Sequence, residues 1–444
     1  MATEPRRGGM GAAVVAAAKA ARNSLLRNHN GGHAPVSNLE LFFDLVYVFA
    51  ITQISGFVHH HLEPMGLIEG ALLFLAVWWA WMYTTWAANW LNPERIPVRL
   101  LLLALMFVSL AMAVVLPKAF ADKALNFALF YVALQIGRSA VVALMFGSEK
   151  APNTLNMWRI TIWFAASGVL WIYGAVAGHE TQLVCWAAAL TIEYAGPFAL
   201  FRTPGLGRSR LSDWNISGSH MAERCSLFII IALGEGIIVT GASFAGLPMQ
   251  MGRVAALVIA FISSALMWWL YFDLGAERGA RMIAGHAQVG RVARNAYTYL
   301  HMPIVLGIVI CAVADALLLE DWDRAVTHQF LAVQIGGLLL FIVGVGLFKR
   351  SANALGNFPF SHLIALLLIA PLAVWNWLYP MTTAGLALGC TLILLFTAFQ
   401  EWVSYHGGWV ERWEARGWRI GTIVRERSER RRARRLAKES ALDG

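Results

Sequence analysis

Twelve apolar runs, each about 20 residues long and joined by short polar connections, fill residues 39 to 402 of this 444-residue chain. A helix of that length crosses a hydrocarbon core of roughly 30 Å. In lipid the backbone has no water to bond, so a spanning segment must satisfy its own amides and carbonyls. Barrel strands would be about half as long and would alternate in polarity. The fold expected is therefore all-α, a polytopic transmembrane helical bundle of about twelve spans. Composition agrees, with 58% hydrophobic and 14% charged residues and a mean hydropathy of +0.59, where a soluble domain carries about 25% charge.

The basic residues test this count independently, because Lys and Arg gather in short cytoplasmic loops. With both termini inside, the N-terminal tail holds five of the 35 basic residues, the even-numbered loops fourteen and the C-terminal tail eleven. The outer loops hold four, and Arg138 lies within a span. A miscount by one span would scramble this alternation. The reading is a multi-pass protein of the cell (inner) membrane with both termini cytoplasmic. A basic tail covers 1–36, the transmembrane domain 37–406, and a basic C-terminal segment 407–444. The net charge of +9 follows from the topology and calls for no nucleic-acid partner. In the C-terminal segment Trp409, Trp413, Trp418, Ile420 and Val424 precede an arginine run, the pattern of an amphipathic helix on anionic lipid, with a disordered tail as the alternative.

A faint duplication runs through the spans. Val48–Gln53 aligns with Ile230–Glu235, Trp81–Tyr83 with Trp269–Tyr271, and Ala133–Gly137 with Ala332–Gly336. The offset grows along the chain, as loop insertions would make it. A parallel six-plus-six repeat, with halves 37–210 and 211–406, would place a central site between the halves.

Three segments carry a family resemblance. ELFFDLVYVFA from Glu40 to Ala50, WWAWMYTTWAANWL from Trp78 to Leu91 and ERCSLFIIIALGEGI from Glu223 to Ile237 resemble the bacterial low temperature requirement A (LtrA) family, over roughly Val36 to Trp402. The resemblance implies a membrane compartment and a bearing on growth in the cold. It carries over no catalytic residues.

The mechanism must then be sought in polar residues inside the spans, where each charge is costly unless paired, hydrated or neutralised. Asp44, Gln53, Arg138, Glu193 and Glu235 are the candidate ion- or substrate-binding residues. Glu193 is the leading partner expected for Arg138, and Asp44 the second. Such a network could bind an ion during transport, or be a static lattice that holds the bundle together. Glu40, four residues before Asp44 on the same helix face, reads as an interfacial anchor reaching water. Gly234 and Gly236 flank Glu235 and either loosen the helix or admit a close neighbour. Gln135 and Gln334 fit the duplication but read first as interhelical glue. Glu223, Arg224 and His301 complete the secondary candidates.

Other features exclude more than they assign. Cys185, Cys225, Cys311 and Cys390 have no metal or disulfide spacing, and His59–His61 reads as a loop rather than a metal site. Nucleotide-binding, metalloprotease and nucleophile-elbow motifs are absent, so neither enzyme activity nor a cofactor is expected. The partners expected are membrane lipids and an unidentified small solute or ion. The functional reading is a secondary transporter or ion-permeation protein using intramembrane carboxylates. Its alternative is a non-transporting membrane factor that supports cold growth through protein or lipid interactions.

Overall fold

The computed structural model describes residues 25–27, 35–147, 152–210, 216–273, 294–351 and 357–405, with a few isolated positions after 415. Over these the regular secondary structure is helical, and no strand is present among the described residues beyond isolated bridges. In order the helices are α1 (Asn38–His60), α2 (Pro64–Trp90), α3 (Ile96–Val115), α4 (Ala124–Phe146), α5 (Pro152–Val176) and α6 (His179–Ala195). There follow α7 (Gly218–Ala245), α8 (Met251–Tyr271), α9 (His301–Glu320), α10 (His328–Ser351), α11 (Phe360–Leu378) and α12 (Thr383–Tyr405). A π-helical turn, Arg294–Tyr299, leads into α9. The tail reading for 407–444 lies almost wholly outside the described residues.

Among the described residues eleven helices are long and apolar enough to cross a membrane. The twelfth helix, α6, has 17 residues, about 25 Å at 1.5 Å per residue. It ends at Ala195, where Gly196-Pro197 interrupts it. The chain turns through Leu200 and Phe201, which hold positive φ of 50° and 48°. The ring of Phe201 then lies over Gly196, where a Cβ would sit 2.7 Å from it.

The helices form two compact units. The first holds α1 as far as Phe57, α2 to α6, and α7 as far as Arg224. The second holds the end of α1 from Val58, α7 from Cys225, and α8 to α12. In the first unit α4 packs against α2, α3 and α5, and α6 against α2 and α5. In the second, α10 packs on α9 and α11, and α12 on α8 and α11.

Helix α2 is the buried spine of the first unit. Trp78, Trp79 and Trp81 are all at most 1% exposed. The tryptophans therefore divide, since Trp268, Trp269, Trp375 and Trp377 are exposed among apolar neighbours, as lipid-facing side chains would be.

Candidate functional site

Glu40 and Asp44 lie one turn apart on α1, and His220 and Arg224 lie one turn apart on α7. They pair in the same order. His220 Nε2 donates to Glu40 Oε1 at 2.8 Å, and Arg224 Nη2 donates to Asp44 Oδ1 at 2.7 Å. Ascending order on both helices means that α1 and the start of α7 run parallel. An odd number of crossings separates parallel spans that begin on one side. With α2 to α5 each a full span, α6 must cross as well, despite its length.

Helix α2 runs alongside and supplies the third wall at the same spacing. Trp81 Nε1 donates to Asp44 Oδ1 at 2.8 Å, Thr85 Oγ1 accepts from Arg224 at 3.4 Å, and Asn89 Nδ2 donates to His220 Nδ1 at 3.1 Å. The orientation of Asn89 is set by Ser217, whose backbone N–H donates to Asn89 Oδ1 and whose carbonyl accepts from Asn89 Nδ2. His220 Nδ1 must then be an acceptor, so the proton sits on Nε2 and faces Glu40. In this neutral tautomer His220 gives Glu40 a hydrogen bond and no charge. The positive partner of Glu40 is Arg27, 2.7 Å away.

Arg27 belongs to a short piece of the N-terminal tail that docks onto the end of α2. Its backbone N–H donates to Trp90, its Nε donates to the Leu91 carbonyl, and Asn92 N–H donates to Leu25. Glu40 also accepts from Ser37, through both backbone N–H and hydroxyl. At 1% exposure Glu40 is buried within protein. This corrects the expectation of an interfacial anchor, because Arg27 comes to Glu40 where the sequence suggested that Glu40 would reach for water.

The second cluster lies on the other side of α2. Glu193 of α6 accepts from Tyr131 Oη at 2.5 Å, Ser167 Oγ at 2.8 Å and Trp171 Nε1 at 2.9 Å. Arg138 of α4 donates to Gln135 Oε1, to the Ala80 carbonyl and to Thr84 Oγ1, and lies over the rings of Tyr83 and Phe164. Gln135 Nε2 in turn donates to Tyr131 Oη. Arg138 and Glu193 are therefore joined through Gln135 and Tyr131, and no direct ion pair forms between them. Asp44 is not the second partner of Arg138, since Arg224 takes it. Neutral acceptors on Gln135, Ala80 and Thr84 satisfy Arg138, and neutral donors on Tyr131, Ser167 and Trp171 satisfy Glu193, so each charge is met locally.

The two clusters differ in completeness. Glu193 meets three donors on its two oxygens. Asp44 Oδ2, Arg224 Nε and Arg224 Nη1 are buried without a hydrogen-bond partner among the described residues. Arg224 covers Trp81 at 5.7 Å from the ring centre. The Asp44–Arg224 pair thus has one anionic and two cationic positions open to further bonding.

The remaining candidates stand elsewhere. Gln53 is half-buried on α1 and takes part in neither cluster. Glu223 accepts from the Val36 backbone N–H at 3.3 Å. Glu235 is 4% exposed and belongs to the second unit, as do Gln334 and His301. Gly236 packs on Ala312 of α9, while Gly234 faces open space, and α7 continues unbroken past both. His301 donates from Nδ1 to the Ala296 carbonyl and accepts at Nε2 from Tyr271 Oη at 2.7 Å, which reads as a fixed, neutral side chain at the start of α9. His59 contacts Glu320 at 3.3 Å. A further half-buried pair appears in the second unit, where Lys349 Nζ holds both oxygens of Glu401 at 2.8 and 2.6 Å.

Sequence reading missed His220, Trp81, Thr85, Tyr131, Ser167 and Trp171. A signal for the first three was present. Trp81, Thr85 and Asn89 recur every four residues, as do Glu40 with Asp44 and His220 with Arg224, marking one polar stripe per apolar helix. The donors to Glu193 carry no such mark, because lone Tyr, Ser and Trp residues are ordinary in membrane helices.

Residues 35–398 match the family model described as bacterial low temperature requirement A protein (LtrA). An uncharacterized protein of Rhizobium meliloti (strain 1021) is 37% identical over 346 residues, covering 78% of this chain and 84% of that protein. No solved structure matches the chain significantly.

Proposed function

The chain belongs to the bacterial low temperature requirement A family, and from that premise we propose that it is a secondary transporter or ion-permeation protein of the inner membrane. The working element in this reading is the Asp44–Arg224 pair, and the Glu193–Arg138 cluster is its fixed scaffold. The observation that carries the assignment is the contrast between them. Glu193 accepts three hydrogen bonds that engage both its oxygens, whereas Asp44 and Arg224 retain three buried polar atoms without partners among the described residues.

Unsatisfied groups of this kind are expensive in an apolar bundle and mark sites that exchange partners. An anionic group can engage the free edge of Arg224, while a proton or cation can neutralise Asp44. Both termini are placed in the cytoplasm, following the distribution of basic loops. That puts the start of α1, and with it the pair, in the cytoplasmic half of the membrane. No enzyme chemistry enters this reading, and its partners are lipids and a small solute or ion.

The experiment is tracer flux in proteoliposomes over a panel of ions and charged metabolites. Wild-type protein is expected to move at least one of them, and Asp44→Asn to abolish that flux. Absence of flux across the whole panel would favour the other reading, a membrane factor acting through partner or lipid contacts. The saturated Glu193 cluster is the feature that supports that alternative, because it is what a static lattice looks like.

A further inference from the structure

Helices α9 and α10 form a hairpin whose backbones touch, because glycines stand at the crossing. A Cβ on Gly307 would meet the backbone nitrogen of Phe341 at 2.5 Å; one on Gly337 would meet that of Cys311 at 2.9 Å, and one on Gly344 that of Ile304 at 2.9 Å. These contacts define one antiparallel register, pairing 304 with 344, 307 with 341 and 311 with 337. Carried one turn further, the register sets Asp315 of α9 level with Val333 and Gln334 of α10. The positions 304, 307, 311 and 315 follow three-four spacing, as do 344, 341, 337 and 334. Asp315 and Gln334 therefore stand on the stripes that face each other.

Both are buried, at 6% and 5% exposure. Asp315 makes no hydrogen bond or ion pair among the described residues, and Gln334 Oε1 has no donor. The groups around them bring no positive charge. Cys311 lies one turn away on α9, and Cys390 of α12 is within electrostatic reach of Asp315. On α7, Glu235 precedes Gly236, which packs on Ala312. The ionisable residues of α8 stand near its ends, at Arg253 and Tyr271, and those of α10 near its ends, at His328, Lys349 and Arg350. Glu320 closes α9, and Glu401 of α12 is taken by Lys349.

An ionised carboxylate with no partner in such a place is costly, whereas a neutral acid needs only one acceptor. We propose that Asp315 is a reversible proton-binding site, in which the protonated carboxyl donates to Gln334 Oε1 across the α9–α10 hairpin. An alkali cation would need more oxygens than one carboxylate and one amide supply. The proton site stands whether or not the protein transports, and it names a proton as coupling ion only if the transport reading holds.

Infrared difference spectroscopy on the full chain in lipid, titrated with pH, tests this directly. A protonated-carboxyl carbonyl band is expected that shifts with carbon-13 aspartate labelling, disappears in Asp315→Asn and persists in Asp44→Asn. Gln334→Leu should move the band to the frequency of a carboxyl with no hydrogen bond. The labelling arm uses wild-type protein, so absence of a labelled band overturns the proposal even if a variant does not fold. The proposal is overturned if no labelled band appears at any pH, if the band survives Asp315→Asn, or if sodium or potassium at fixed pH bleaches it. The last outcome would make the site one for an alkali cation. Failure of the flux panel leaves these readouts untouched.

Discussion

Asp44 Oδ1 and Arg224 Nη2 lie 2.7 Å apart across 180 positions of sequence, one turn along from a second rung that joins Glu40 to His220. Two rungs in the same order fix the azimuth and direction of both helices at once. They do so beside α2, whose Trp81, Thr85 and Asn89 meet the same two rungs at matching intervals.

Breaking the pair from one side leaves a buried charge with no counter-charge. Arg224→Met is therefore expected to cost about 3 to 5 kcal/mol, and Asp44→Leu a similar amount. The double variant Asp44→Leu with Arg224→Met removes both charges and is expected to fall within about 1 kcal/mol of wild type or above it. Thermal unfolding in detergent at matched conditions reads all three. A double variant as unstable as the singles would show that the loss comes from packing and not from charge.

Glu193 responds differently, because its donors come from separate residues. Tyr131→Phe, Ser167→Ala and Trp171→Phe should each cost about 1 to 3 kcal/mol, as losses of a hydrogen bond to a charged acceptor do. That exceeds the roughly 0.6 kcal/mol average for interhelical hydrogen bonds in membranes. The same unfolding assay should rank all three above Thr191→Ala, whose hydroxyl only bonds its own helix on an exposed face.

Much of this architecture is legible in the sequence, and the limits have physical causes. Span number and helical class follow from run length and hydropathy, because the bilayer admits few alternatives. Asp44, Arg138 and Glu193 are conspicuous because charge in an apolar run has no neutral explanation. Their pairings are not legible. Arg138 and Glu193 look like obvious partners, yet Gln135 and Tyr131 intervene, and the true partner of Asp44 lies near a polar loop where an arginine appears merely topological. Glu40 illustrates the same point from the other side, since only the fold reveals that Arg27 closes over it.

The glycines of the second unit separate close packing from permissive flexibility. Gly307→Ala places a methyl 2.5 Å from the Phe341 backbone, which cannot step aside as a side-chain tip can. Gly234→Ala meets nothing within 4 Å and gains helix propensity worth about 1 kcal/mol. Unfolding temperature should fall clearly in the first and hold or rise in the second. A loss in Gly234→Ala would revive the idea that α7 must flex beside Glu235.

Helix α6 is short for a span, and its crossing is a sharp consequence of the parallel α1–α7 ladder. In a chain whose four native cysteines are replaced by alanine, Glu180→Cys and Arg208→Cys should react with a membrane-impermeant maleimide from opposite sides of intact vesicles. Labelling of both from one side would break the ladder argument.

The central claim is that Asp44 and Arg224 form a site that exchanges partners, and flux through the apolar double variant tests it most directly. Asp44→Leu with Arg224→Met is expected to keep the bundle folded while deleting the exchangeable groups. In proteoliposomes carrying a solute that wild-type protein moves, the account predicts that the folded double variant moves none of it. Wild-type flux from that variant would contradict the claim and reduce the pair to a clamp.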